Sequence, residues 1–191
     1  RYQEVTGVQT CALPIFTHAI DREAIVSSVM NGDGKVAHVP ESPLSFAYNE
    51  DVPKFEFDVE KAKSLLAEAG WADSDGDGIL DKDGKKFSFT VKTNQGNKVR
   101  EDIVVVLQEQ LKEVGIEAKP EIVEWSAFIE QISAPNWNYD ALVLGWSLST
   151  FPDQYDIFHS SQMEEGLNFV WYSNPEADKL MEEAKQILDQ D

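Results

Sequence analysis

Residues Phe87–Ile122, FSFTVKTNQGNKVREDIVVVLQEQLKEVGIEAKPEI, decide the fold. Phe87, Phe89 and Val91 alternate with polar residues, the pattern of a strand buried on one face. Val99, Ile103, Val106, Leu107, Leu111 and Val114 then recur at helical spacing, and Gly115 stands where a helix closes. Ile116, Ala118, Pro120 and Ile122 resume the alternation. Pro120 brings no N–H to a ladder, so this second strand is expected at a sheet edge. A strand–helix–strand unit crosses over right-handed, which makes its strands parallel. The chain is therefore read as α/β, a parallel or mixed sheet flanked by helices.

Working outward towards the C-terminus, a short helix is expected over Ser126–Ile132, followed by Tyr139–Ser161, YDALVLGWSLSTFPDQYDIFHSS. Ala141–Leu144 is an unbroken apolar run, which predicts a third strand buried on both faces. Asn174-Pro175 opens a last helix with Pro at its first position. Its stripe is Ala177, Leu180, Met181, Ala184, Ile187 and Leu188. Towards the N-terminus, Asp58 caps a helix with Val59, Ala62, Leu65, Leu66 and Ala69 on one face, and Gly70 ends it. Asp21 caps an earlier one carrying Ile25, Val26, Val29 and Met30, ended by Asn31-Gly32. Val36–Pro53 reads as an ordered loop anchored by Phe46 and Tyr48.

Val5–Ile15, VTGVQTCALPI, matches neither a helical nor a strand period. It resembles a translated sequencing-library adaptor, so residues 1–15 are set apart as a non-native segment expected to pack poorly. Phe16–Ile20 reads as the tail of a helix, and the fold is expected to occupy residues 16–191.

The 191 residues suffice for one good-sized core or for part of a larger protein. Sixteen Lys and Arg against 35 Asp and Glu give a net charge of −19. No basic stripe could neutralise phosphates or an anionic membrane surface, so neither nucleic acid nor membrane is an expected partner. No apolar run is long enough to span a bilayer. A single cysteine, Cys11, excludes an internal disulfide and a CxxC site. His18, His38 and His159 lie far apart without ligand-spaced neighbours, against zinc. No nucleophile–base set or phosphate loop is present, so the chain is not read as an enzyme.

Three strands are predicted to end at the same carboxyl edge, where open α/β sheets place their ligands. Those ends carry Asn94 and Asn97, then Trp125, then Gly145, Trp146 and Ser147, with Ser149 and Asp153 in the loop beyond. Aromatic and amide side chains make a mostly apolar pocket with a few orienting hydrogen bonds, and these eight residues are the candidate ligand site. Trp125 is equally readable as a core plug. Asp73, Asp75, Asp77 and Asp81 follow the start of an EF-hand loop, with Gly78 at the turn position. Gly84 stands where the bidentate Glu belongs, so calcium competes with a solvated turn as the reading of this loop.

AIDREAIVSSVMNGDGKVA, FDVEKAKSLLAEAGW, DSDGDGILDKDGKKFSFTVKTNQGN, LGWSLSTFPDQYDIFHSS and YSNPEADKLMEEA, in this order, resemble the oligopeptide/dipeptide solute-binding proteins (family 5) of ABC importers. The resemblance runs through nearly everything from Phe16 onward. It implies one lobe of a type II periplasmic-binding-protein-like fold, a partial C-terminal lobe whose N-terminal lobe lies outside this chain. It further implies a monomeric extracytoplasmic receptor, in a periplasm or as a cell-surface lipoprotein, that closes on a small solute and delivers it to an ABC permease. Peptide-binding members place an acidic residue shortly after the Gly-Trp for the ligand amine. Here Ser147–Thr150 holds none before Asp153, which leaves peptide, oligosaccharide and metal chelate open. A calcium-stabilised structural or adhesion module is the alternative, supported by the acidic loop alone.

Overall fold

The computed structural model describes residues 14–148 and 152–186, which fall into two units. The first comprises residues 14–36, 53–124 and 139–144, and the second 37–52, 125–138 and 145–186.

The first unit is built on a parallel three-stranded sheet in the order β4-β3-β5, with β3 Ser88–Asn94, β4 Glu117–Val123 and β5 Ala141–Leu142. β3 and β4 pair in register from Ser88↔Glu117 to Asn94↔Val123. They are joined by helix α3, Lys98–Glu113. Pro120 does lie on an edge strand. The third strand departs from expectation. Only Ala141 and Leu142 pair, with Val91 and Lys92, and residues 141–144 are half-buried. Among the described residues β5 is the other sheet edge, so its apolar run is covered incompletely.

Short-range chemistry accounts for the helices. Asp21 Oδ1 accepts from Ala24 N at 2.8 Å and starts α1, Arg22–Ser28. Asp58 Oδ1 accepts from Lys61 N at 2.9 Å and starts α2, Val59–Glu68. Such caps contribute about 1 kcal/mol each by satisfying orphan N–H groups. From α2 the chain passes through the acidic loop into a two-residue hairpin, β1 Asp81–Lys82 with β2 Lys85–Lys86. Between α3 and β4, Gly115 adopts φ +79°, and a Cβ there would meet Leu80 Cγ at 2.7 Å.

Leu66 of α2, Val104 and Leu111 of α3, and Ile116 and Ala118 close the core against Val91 of β3. Burying each of the larger side chains contributes roughly 1.5–3 kcal/mol. Residues 14–19 are helical, and Ile15 and Ala19 are buried in this core. Ile15, within the segment expected to pack poorly, is itself buried here, and Phe16 beside it meets the edges of Phe87 and Phe89. Residues 1–13, with Cys11, lie outside the described residues.

The second unit contains α4 Trp125–Ile132, α5 Tyr155–Phe158, a 3-10 turn Ser160–Gln162 and α6 Pro175–Ala184. Phe128 and Ile132 of α4 are fully buried. Asn174 caps α6 by accepting from Glu176 N and Ala177 N. The stripe of α6 is legible yet not buried, with Leu180 59% exposed; Ile187 and Leu188 lie outside the described residues. Phe46 is also 59% exposed and does not anchor its loop, whereas Tyr48 is half-buried.

Candidate functional site

At the carboxyl end of β3, the side chains are fixed by hydrogen bonds within one turn. Asn94, 8% exposed, accepts from Arg100 Nη1 at 2.7 Å and donates through Nδ2 to Gln95 O at 3.1 Å. Gln95 N donates to Val123 O at 2.7 Å, which ties this end of β3 to the end of β4. Asn97 Oδ1 accepts from Arg100 N at 3.1 Å, so its oxygen caps α3. Of the candidate ligand residues, Asn97 thus has its acceptor engaged by the helix.

The expected single cleft draws on both units: Asn94 and Asn97 belong to the first, Trp125 and Trp146 to the second. Within the second unit, Trp146, Ser147 and Asp153 line a hollow of about 250 Å³ with Glu41, Leu148, Gln154, Asp156, Ile157 and Leu167. The volume falls below that of a typical drug-sized pocket and suits one side chain or one ring of a solute. Trp146 is 43% exposed and stacks on Phe169, ring planes 16° apart. Gly145 is exposed just before it. Asp153 lines the hollow, but its Oδ1 accepts from Tyr155 N at 2.9 Å and its Oδ2 lies 3.6 Å from Lys185 Nζ. Ser149 lies outside the described residues.

Trp125 is not among the residues lining this hollow. It is 48% exposed at the first position of α4, tilted against Phe128, so it is not a core plug. Glu41, Gln154, Ile157 and Leu167 escaped sequence reasoning because the hollow assembles three separate stretches, and no spacing rule links them. Gln154 Nε2 donates to Glu41 Oε1, while its Oε1 is buried without a partner among the described residues.

In the acidic loop, carboxylate oxygens of Asp73, Asp75 and Asp77 lie within 4.8 Å of one another. Asp81 does not join them; its Oδ2 accepts from Ser74 N at 2.9 Å and Ser74 Oγ at 2.7 Å. Lys86 Nζ sits 3.3 Å from Asp75 Oδ2 and bonds directly to Asp77. Lys86 holds the Asp77 carboxyl below its ordinary range, and Ser74 does the same for Asp81. The loop turns inward as well: Gly76 N and Gly78 N donate to Asp73 at 2.8 and 2.9 Å. It leads into a β-hairpin, where an EF-hand would continue as a helix.

Residues 16–168 match the bacterial extracellular solute-binding proteins, family 5 Middle. The chain belongs to this family. Among family 5 relatives, it is 71% identical over 175 residues to the oligopeptide-binding protein AppA of Bacillus subtilis, covering 91% of this chain and 32% of AppA. The solved structure of B. subtilis AppA in complex with a nonapeptide superposes with a TM-score of 0.88 at 69% identity, over 93% of this chain and 36% of that one. The oligopeptide-binding protein of Thermus thermophilus, complexed with a pentapeptide, gives a TM-score of 0.79 at 28% identity, over 95% and 33% of the two chains. The chain thus spans about a third of the length of the relatives it matches. Family 5 membership and these superpositions establish the type II α/β lobe expected from the sequence. They lend no support to the calcium-stabilised adhesion module.

Proposed function

We propose that this chain is part of the extracytoplasmic receptor of an ABC importer, a protein that binds a peptide, closes around it and presents it to a permease. The observation that carries the reading is the 71% identity to an oligopeptide-binding relative. The geometry fits binding: the Trp146 hollow offers aromatic and apolar walls with three carboxylates and the Gln154 amide. Lobe closure around a ligand is the ordinary way such receptors gain affinity. Peptide is favoured over oligosaccharide or metal chelate by the nonapeptide and the pentapeptide bound in the two solved relatives. Calorimetric titration of the full-length protein with a nonapeptide, followed by mass spectrometry of the recovered ligand, tests this. Saturable binding with intact peptide supports the receptor; hydrolysed peptide, or no binding beside tight binding of a sugar or chelate, overturns the peptide assignment.

For the acidic loop the same reading is a turn neutralised from within. Calcium could enter the Asp73–Asp75–Asp77 cluster by displacing Lys86 Nζ. Melting curves with and without millimolar calcium separate the two states.

A further inference from the structure

His159 is a buried ionisable side chain that the Trp146 hollow does not use. It is 6% exposed and sits where α5 runs into the 3-10 turn. Ser161 N donates to its Nδ1 at 3.1 Å, which caps the turn and leaves the proton of the neutral ring on Nε2. That Nε2 is buried without a hydrogen-bond partner among the described residues. Glu182 Oε1 of α6 lies 3.5 Å from it, within ion-pair distance. A buried donor left unpaired is costly, and a facing carboxylate rewards a charged ring. The groups around the imidazole are mixed in sign. From α6 come Glu182 and Asp178, and the Asp178 carboxylate accepts from Ser160 N and Oγ, one residue along from His159. From α5 comes Tyr155, stacked on the imidazole with centroids 4.1 Å apart. Lys185 Nζ rests 3.4 Å from the centre of that tyrosine ring and 3.6 Å from Asp153 Oδ2. The 167–172 segment contributes the neutral Asn168, which donates to His159 O at 3.2 Å. Two carboxylates are thus set against one ammonium that is already engaged by Tyr155 and Asp153. Ser161 Oγ, 2.8 Å from Nδ1, can accept from a protonated Nδ1, so a charged ring has an acceptor at each nitrogen.

We propose that His159 is a proton-operated latch between α6 and the segment that frames the Trp146 hollow. With a second proton on the ring, the approach of Nε2 to Glu182 becomes an ion pair and holds α6 more firmly against residues 155–161. The same stretch of chain gives Asp153, Gln154, Asp156 and Ile157 to the hollow, so the proton acts on the frame of the site, whatever the solute. Histidine is the side chain whose charge changes between about pH 5 and 8. The latch is therefore tight in mild acid and loosens as pH rises and the ring gives up its second proton. Asp178 stays ionised throughout, because Ser160 holds its carboxyl below the ordinary range.

The test is hydrogen exchange of the full-length protein without ligand at about pH 5.5 and about pH 7.5, either side of the ordinary histidine value, with rates corrected for the intrinsic effect of pH. Amides from Lys179 to Ala184 in α6 are expected to be about fivefold better protected at the lower pH, the upper scale for a pair whose carboxylate is exposed. Glu182→Gln, at a position 59% exposed, should remove that difference with the fold intact. His159→Gln should remove it as well. Equal wild-type protection at the two pH values, or better protection at the higher one, overturns the latch. A difference that survives Glu182→Gln unchanged assigns the proton to another group and overturns it too. If His159→Gln fails to fold, Glu182→Gln alone decides.

Discussion

Trp146 lies almost parallel to Phe169, ring planes 16° apart and centroids 6.2 Å from each other. The stack fixes the indole at the rim of the hollow and leaves it 43% exposed. Under the receptor reading, that exposure makes the indole available to the solute. In the full-length protein Trp146→Ala is expected to weaken peptide binding by roughly 1–3 kcal/mol, the scale of a lost aromatic contact. Melting temperature should change little. A variant that melts far lower yet binds with unchanged affinity would place the indole in the fold and outside the site.

Gly115 supports a prediction about stability. It needs positive φ, and a Cβ would press on Leu80 Cγ at 2.7 Å. Gly115→Ala combines backbone strain with overpacking and should cost about 1–3 kcal/mol in chemical denaturation. Leu80→Ala in the same chain should recover part of that loss. An unchanged denaturation midpoint for the single variant would show that the turn can be rebuilt freely.

How far the sequence reaches is visible in these residues. Asp21, Asp58 and Asn174 were legible as caps because capping is decided within three residues. The β3–α3–β4 unit was legible because its two periods differ. Asn97 is a candidate ligand residue and also caps α3, because a strand end and a helix start share the same few positions. The extent of β5 depends on how much of β3 faces it, which no local pattern states. The same holds for the hollow: Glu41 and Leu167 reach Trp146 only through tertiary structure. The exposed stripe of α6 shows that amphipathic spacing predicts a helix without guaranteeing what it packs on.

Asp178 gives a pH signature. Its carboxylate accepts from Ser160 Oγ at 2.6 Å and Ser160 N at 3.0 Å, linking α6 to the 3-10 turn and lowering its pKa. A folded-state pKa below the unfolded value, about 3.9, means the stabilisation is full above that value. It is lost as pH falls through the lower, folded one. Wild type should therefore exceed Asp178→Asn in stability at neutral pH, and the gap should close under strongly acidic conditions. A gap that does not depend on pH would assign the effect to packing.

For the acidic loop, Lys86 already lies between the Asp75 and Asp77 carboxylates. Millimolar calcium is expected to leave the wild-type melting temperature nearly unchanged. Lys86→Met should create a calcium-dependent rise, since a ligand that binds only the folded state stabilises it. Asp75→Ala with Asp77→Ala should remove that rise. A clear shift in wild type would instead make the loop a genuine calcium site.

The receptor reading is tested most directly by hydrogen exchange of the full-length protein with and without a saturating nonapeptide. Amides from Gly145 to Ile157, the stretch that supplies Trp146, Ser147, Asp153 and Gln154 to the hollow, are predicted to slow on peptide addition, while those of the outward face of α6 are predicted not to. Peptide that binds without slowing exchange anywhere in 145–157 would contradict the account.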